Sequence, residues 1–360
     1  MIIKKLEEEI IMKLRLWLKK GKLAALFFIL AMIITGCSSG NADSITDTGN
    51  GDKSTDGNLK TIKIACPAQS GMLSENALLA QRLGYIDEEL EKAGYQAEFV
   101  GFAQAGPAIN EAFAAGEIEY AFYNELPAMT AKSNGVDLKI IAATTQQNHY
   151  ALFVTKKSGI SSIKDLEGKK AIVIPGTILY RYFIDICKKN DIDSSKVEQI
   201  NALADANSIL ISGEADAFFG AYSQALLLQS QGIGSILTNT TEDLEETSGL
   251  TLTGRTAFLE SDPESAKAII RALKRASEYA AENPDDVYGL LATDSSPEEL
   301  LKQLYSYDTS FSYFNPALSD EYRKSVQSQY EFSKENQMLA GEINIDELLD
   351  SAYVDEILAE

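Results

Sequence analysis

Histidine is almost missing from this 360-residue chain: His149 is the only one, and the cysteines number three. One imidazole and a few scattered thiols do not make the usual four-ligand zinc site. They also leave little material for a Ser-His-Asp or Cys-His nucleophile, so no metal, cofactor or catalytic residue is expected. Basic residues are scarce too, with 32 against 53 acidic. Beyond residue 36 the balance is 25 basic to 50 acidic, a net of −25. Nucleic-acid binding needs a basic footprint and is not expected. An apolar run of membrane-spanning length is lacking as well. The apolar stretch near the N-terminus, Leu23 to Thr35, has thirteen residues, where a span needs roughly twenty.

That short run is informative by what surrounds it. Lys13, Arg15, Lys19, Lys20 and Lys22 precede it, and Gly36-Cys37-Ser38-Ser39-Gly40 follows. A basic region before a short apolar one is the pattern of an export signal. Its end resembles the lipobox of bacterial lipoproteins, in which the cysteine is acylated and becomes the first mature residue. The expectation is therefore a signal peptide over 1–36 and lipidation at Cys37. Two or three acyl chains, at about 0.8 kcal/mol per buried CH₂, would hold the protein to a membrane. Met12 is read as the translation start, because Glu7-Glu8-Glu9 in front of the basic stretch would hinder export. Residues 41–58 are rich in Asp, Asn, Ser, Thr and Gly, with Ile45 as the one large apolar side chain. Such a composition cannot offset its ordering entropy, and 37–58 reads as an anchored, disordered tether.

From residue 59 strand and helix signals alternate. Thr61 to Ala65 has strand alternation. The apolar spacing Leu79, Leu83, Ile86, Leu90 is helical but broken at Gly84, predicting two short helices. Strands are expected over 96–102, 119–123 and 138–143, with a helix between Pro107 and Gly116. A second unit begins near Tyr150, with strands over 151–154 and 171–174 and a helix from Gly176-Thr177 to Lys189. Beyond Asp262-Pro263 the pattern is helical. Alternation of this kind implies mainly parallel sheets with helices on both faces. One motif occurs twice: Gly116 to Phe122 and Gly213 to Phe219 share Gly-Glu, then an acidic residue three positions after the glycine. Two lobes on one plan would produce this. Cys66 and Cys187 fall in different units and are expected to be free thiols.

Five segments carry a family resemblance. They are Ile62 to Leu73, Ala80 to Ile86 (AQRLGYI), Gly116 to Pro127 (GEIEYAFYNELP), Ile160 to Thr177 (ISSIKDLEGKKAIVIPGT), and the helical tail from Pro263. Together they resemble the solute-binding proteins of ABC importers, of the type II periplasmic-binding-protein group that takes sulfonates, taurine, nitrate and thiamine precursors. The resemblance implies a two-lobe α/β fold, with residues 59–149 and 255–360 forming lobe I and 150–254 forming lobe II. It implies two hinge crossings, near Gln147 to Leu152 and Thr251 to Phe258, and a small-molecule ligand in the cleft between the lobes. The partners implied are an ABC permease with its ATPase, and the membrane through the lipid anchor on the extracytoplasmic face. The protein itself would be a monomer.

The ligand-binding candidates follow from the loops at strand ends. Gln69, Ser70 and Gly71 lie after the first strand, and Asn124 and Glu125 after the third. Gln147 sits at the first crossing. Gly176 and Thr177 open a helix whose N–H groups suit an anion, although Thr177 could equally serve as a cap. Tyr180 and Tyr222 offer rings. Where relatives read D-A-W-x-x-W-x-P, this chain has Ala221 at the second Trp position and Ser223 at the proline. The expected ligand is a small organic anion such as a sulfonate or taurine. The alternatives are a thiamine-precursor pyrimidine or another heterocycle, a sensor or adhesin without a transporter, and, least expected, an enzyme related to a pyrimidine synthase.

Overall fold

The computed structural model describes residues 59–67, 70–202, 205–241 and 248–360. The export signal, Cys37, the tether and Gln69 lie outside the described residues. Ten strands form two five-stranded sheets. The first half of the chain gives β1 (Lys60–Cys66), α1 (Glu75–Arg82), α2 (Tyr85–Lys92), β2 (Tyr95–Gly101), α3 (Gly106–Ala115), β3 (Tyr120–Asn124), α4 (Glu125–Ser133) and β4 (Leu138–Asn148). The second sheet is built from β5 (Tyr150–Thr155), β6 (Lys170–Ile172), α5 (Ile178–Lys189), β7 (Glu198–Ile200), α6 (Ala206–Ser212), β8 (Ala217–Ala221), α7 (Tyr222–Ser230) and β9 (Gly234–Asn239). The chain then returns through β10 (Ser248–Arg255) into α8 (Thr256–Ser261), α9 (Pro263–Glu282), α10 (Pro284–Leu291), α11 (Glu298–Leu304), α12 (Asp320–Glu335), α13 (Ile345–Leu348) and α14 (Ala352–Leu358).

The sheet orders are β2-β1-β3-β10-β4 and β7-β6-β8-β5-β9. In each, four strands share one direction and the strand next to last is reversed, β10 in the first and β5 in the second. Both reversed strands are the ones that have just crossed from the other sheet. The sequence explains the burial. Tyr120-Ala121-Phe122-Tyr123 is apolar on both sides of the strand and buried throughout, as expected for a strand covered by helices on two faces. The break at Gly84 is a left-handed residue, φ 74°, between α1 and α2. Pro107 opens α3 and Gly116 closes it at φ 71°.

Two boundaries differ from expectation. β4 continues from Leu138 to Asn148, five residues past its expected end, because Thr145 and Asn148 still pair with β10. Ser248–Arg255 was assigned to the second lobe up to residue 254, with the return crossing at Thr251 to Phe258. It pairs instead with β3 and β4 in the first sheet, so the return comes earlier, between Asn239 and Ser248. The pattern Thr-Leu-Thr marks a strand but says nothing about which sheet recruits it. Cys66 and Cys187 form no disulfide and are both buried, one in β1 and one in α5. Burial pushes the Cys187 thiol up to about 12, out of the reactive range.

Candidate functional site

The first crossing passes through His149, which separates β4 from β5. It runs alongside the return crossing. Tyr150 N–H donates to Thr240 Oγ1 at 3.0 Å, Thr240 N–H donates to Tyr150 O at 3.0 Å, and Asn148 pairs with Ser248. His149 Nδ1 lies 3.1 Å from Thr240 Oγ1, and its ring meets Tyr307 edge-on at 4.2 Å. Burial pushes the imidazole down to about 4, so it is neutral at physiological pH.

The C-terminal end of β3 carries the densest polar constellation. Asn124 caps α4 through Oδ1, which accepts from Leu126 N–H at 3.2 Å. Its Nδ2 donates to Ser248 Oγ at 3.0 Å and to Gly249 O at 2.9 Å. All of this amide is therefore engaged in bracing α4 against the return strand. The Tyr150 hydroxyl also bonds Ser248 Oγ. Glu125, the first residue of α4, is 0% exposed, and neither carboxyl oxygen meets a hydrogen-bond donor among the described residues. Burial raises its pKa to about 8. Its own N–H and that of Gly249, which approach the carboxyl without reaching hydrogen-bond geometry, and the positive charge of Arg181 pull the other way, but less strongly. Tyr322, on α12, has a buried hydroxyl with no hydrogen-bond partner among the described residues, and it feels the Glu125 charge.

Arg181, on α5 of the second lobe, reaches across to α12 of the first. Its Nη1 donates to Gln329 Oε1 at 3.0 Å and its Nη2 to Ser328 Oγ at 2.8 Å, while Nε donates to Asp185 at 3.3 Å. Glu75, at the start of α1, bonds the Tyr305 hydroxyl, and burial raises its carboxyl to about 7. Tyr305, Tyr307, Phe311, Tyr313 and Phe314 form one aromatic cluster in the tail, with Tyr305 and Tyr313 stacked at 5.9 Å. Arg181, Tyr150, Tyr322, Ser248 and the Glu75–Tyr305 pair were missed in the sequence, where no motif spans separations of 70 to 230 residues. The tyrosine-rich stretch 305–314 was the one available signal.

The other expected residues are placed differently. Ser70 is exposed, and its Oγ accepts from Met72 N–H at 3.4 Å. Gly71 is buried at φ 71°, and a Cβ there would lie 3.1 Å from Phe99 O, so the loop presses on β2. Gln147 is half-buried, its carbonyl accepting from Thr145 Oγ1 at 3.0 Å. Gly176 is exposed with φ 79°. Thr177 occupies the cap position of α5, but its hydroxyl donates to Ile174 O at 2.6 Å and caps no N–H of the helix. The side-chain capping role considered for it is thus not filled. Tyr180 is half-buried against the second lobe's core, 6.2 Å from the Phe183 ring. Tyr222 N–H donates to His149 O at 2.9 Å, and its ring lines a groove of about 570 Å³ that α11 closes from the other side with Lys302 and Gln303.

A family model for NMT1/THI5-like proteins matches residues 76–287, over half of the chain. A Bacillus subtilis (strain 168) protein whose name assigns it aliphatic sulfonates is 24% identical over 348 residues, 95% of this chain and 98% of its own length. Among solved structures, the periplasmic sulfonate-binding protein from Methylobacillus flagellatus KT gives a TM-score of 0.71 at 22% identity, covering 84% of this chain and 94% of that one. The desulfurization enzyme DSZB shares the fold as well, with a TM-score of 0.68 at 14% identity over 83% of this chain and 99% of its own. The paired crossings, the two sheets of matched order and the match over α1 to α10 agree, and the chain belongs to the NMT1/THI5-like family.

Proposed function

We propose that this protein is the extracytoplasmic solute-binding component of an ABC importer, capturing a small sulfonate-like organic anion between its lobes and delivering it to the permease. The observation that carries the reading is the joint at Asn124-Glu125. Polar groups from both lobes gather there beside the crossings, and several have no protein partner. Ligands of open α/β sheets sit beyond the carboxyl ends of strands, and this joint is one. The names of the Bacillus and Methylobacillus relatives supply the ligand class. We take the lobes as 59–148 with 248–360, and 150–240, and closure as a hinge motion at the paired crossings. Ser70, Gly71, Gln147, Gly176, Thr177, Tyr180 and Tyr222 remain candidate contacts with Asn124 and Glu125. The protein acts without catalysis, as a monomer, tied to the membrane by acyl chains on Cys37.

The second reading, a neutral or amino-bearing heterocycle, draws on the unpaired Glu125 carboxyl, which could accept from an amino group. Differential scanning fluorimetry against alkanesulfonates, taurine, nitrate, bicarbonate and pyrimidines separates the two. For a ligand at a hundredfold excess over Kd, unfolding free energy should rise by roughly 2.7 kcal/mol. A response to pyrimidines alone would sink the anion reading. Labelling with a fatty-acid analogue tests the anchor, since Cys37→Ser should abolish the label.

A further inference from the structure

Glu125 poses a problem for any anion captured at this joint. An ionised carboxylate about 4 Å from an anion is repelled by about 4 kcal/mol at an effective dielectric of 20. Among the described residues the groups that favour that charge, the N–H groups of Glu125 and Gly249 and the charge of Arg181, act less strongly than burial does against it. Arg181 is the cation that acts on Glu125, yet its Nε, Nη1 and Nη2 are engaged with Asp185, Gln329 and Ser328. His149 at the crossing is held neutral. The remaining titratable neighbours, Tyr150 from β5 and Tyr322 from α12, have hydroxyls that burial holds far above physiological pH, and Glu75 is bonded to Tyr305. Asn124 has no free amide N–H to screen the carboxyl. A carboxyl that is 0% exposed and unpaired on both oxygens is costly as an ion but tolerable as an acid.

We propose that Glu125 meets the captured anion as a neutral carboxylic acid, donating its O–H to an anion oxygen, so that capture is linked to one proton. The proposal rests on the anion reading of the cleft. No covalent bond forms between protein and anion. Below the carboxyl's pKa the proton is already on Glu125, and above it one proton is taken from solvent as the anion binds. Burial, which pushes the free carboxyl up to about 8, fits that range. A hydrogen bond from a neutral acid to an anionic oxygen is charge-assisted and short, so repulsion becomes attraction.

The test is isothermal titration with ethanesulfonate, which has no titrating group of its own, from pH 6 to 9.5. Wild-type affinity should be level up to about pH 7.5 and fall about tenfold per pH unit above 8, as one linked proton requires. Glu125→Gln carries an N–H donor at all pH values. Its affinity should not vary with pH, and at pH 9.5 it should exceed wild type by about tenfold. Tight wild-type binding that stays level to pH 9.5 would overturn the proposal and leave the anion reading standing. Affinity that rises with pH would overturn it, because the ionised carboxylate would then be the form that binds. If neither protein binds any sulfonate at any pH, the anion reading fails and this inference with it. Infrared difference spectroscopy gives a check that needs no ligand: a protonated-carboxyl C=O band at pH 7 in wild type, absent from Glu125→Gln. Its absence from wild type would also overturn the proposal.

Discussion

In both lobes a helix ends on a left-handed glycine, Gly116 or Gly213, and an acidic residue three positions later ties down the neighbouring strand. Glu119 Oε2 accepts from Lys63 N–H at 2.8 Å, and Asp216 Oδ2 accepts from Lys170 N–H at 3.0 Å. The backbone answers in kind, Glu119 N–H to Lys63 O and Asp216 N–H to Lys170 O. Six residues beyond that carboxylate the likeness has ended. β3 delivers Asn124-Glu125 into α4, whereas β8 delivers Ala221-Tyr222 into α7. The first joint presents an amide and a carboxyl, the second a methyl and a phenol. The scaffold is duplicated where it braces strands, and it diverges where strands open toward the cleft.

The largest expected effect exploits that divergence. The first joint holds a buried carboxyl where the second holds a phenol, so replacing Glu125 should change how stability depends on pH. The folded carboxyl lies at about 8 against an ordinary 4.5, so the folded state holds the proton more tightly. Its contribution is fully present below pH 4.5 and is lost as pH rises to about 8. Glu125→Gln should therefore match wild type at pH 4 and exceed it at pH 8.5 by on the order of a few kcal/mol, read from urea unfolding. A constant difference across that range would place the titration elsewhere.

Next comes Gly220, the counterpart of Tyr123. A Cβ there would sit 1.8 Å from the fully buried Phe218 ring. Gly220→Ala should cost about 1–3 kcal/mol by overpacking, although alanine at the equivalent site of the first lobe would leave a cavity instead. An unchanged urea midpoint would show that the second lobe is the more pliable one. The duplicated clamp itself is tested by Glu119→Ala and Asp216→Ala, each expected to lose about 1–2 kcal/mol. Unequal losses would break the equivalence, since the Glu119–Arg255 approach at 3.8 Å adds little at a partly exposed position. The smallest effect is at Thr177. Removing its bond to Ile174 O should cost about 1 kcal/mol, and calorimetry of Thr177→Ala with a bound sulfonate should show whether that hydroxyl also serves the ligand.

These contrasts were partly readable beforehand. Gly84, Pro107, Gly116 and the repeated Gly-Glu motif each act through local backbone geometry, so the sequence displays them directly. Asn124-Glu125 was also visible, as the end of a strand before a helix-opening segment. The sheet assignment of Ser248–Arg255 was not, because two sheets offered edges to the same apolar-polar alternation. Nor was the isolation of Glu125: its neighbours Tyr150, Arg181, Ser248 and Tyr322 come from four distant segments, and only tertiary packing removes its water. The alternative reading of Thr177, a side-chain cap, was not met for a subtler reason. A threonine before a helix has two backbone partners within reach, and the turn at Gly176 chose the carbonyl behind it.

The early return of the chain bears on how the protein assembles. β10 lies between β3 and β4, so the first sheet stays divided until residues up to about 255 are available, whereas the second sheet has all its strands once Asn239 is made. A chain that appears N-terminus first can complete its second lobe while the first still waits for its interior strand. The lobe begun first is therefore finished last, and until β10 docks, β3 and β4 present unpaired edges, the kind of surface on which chains associate wrongly.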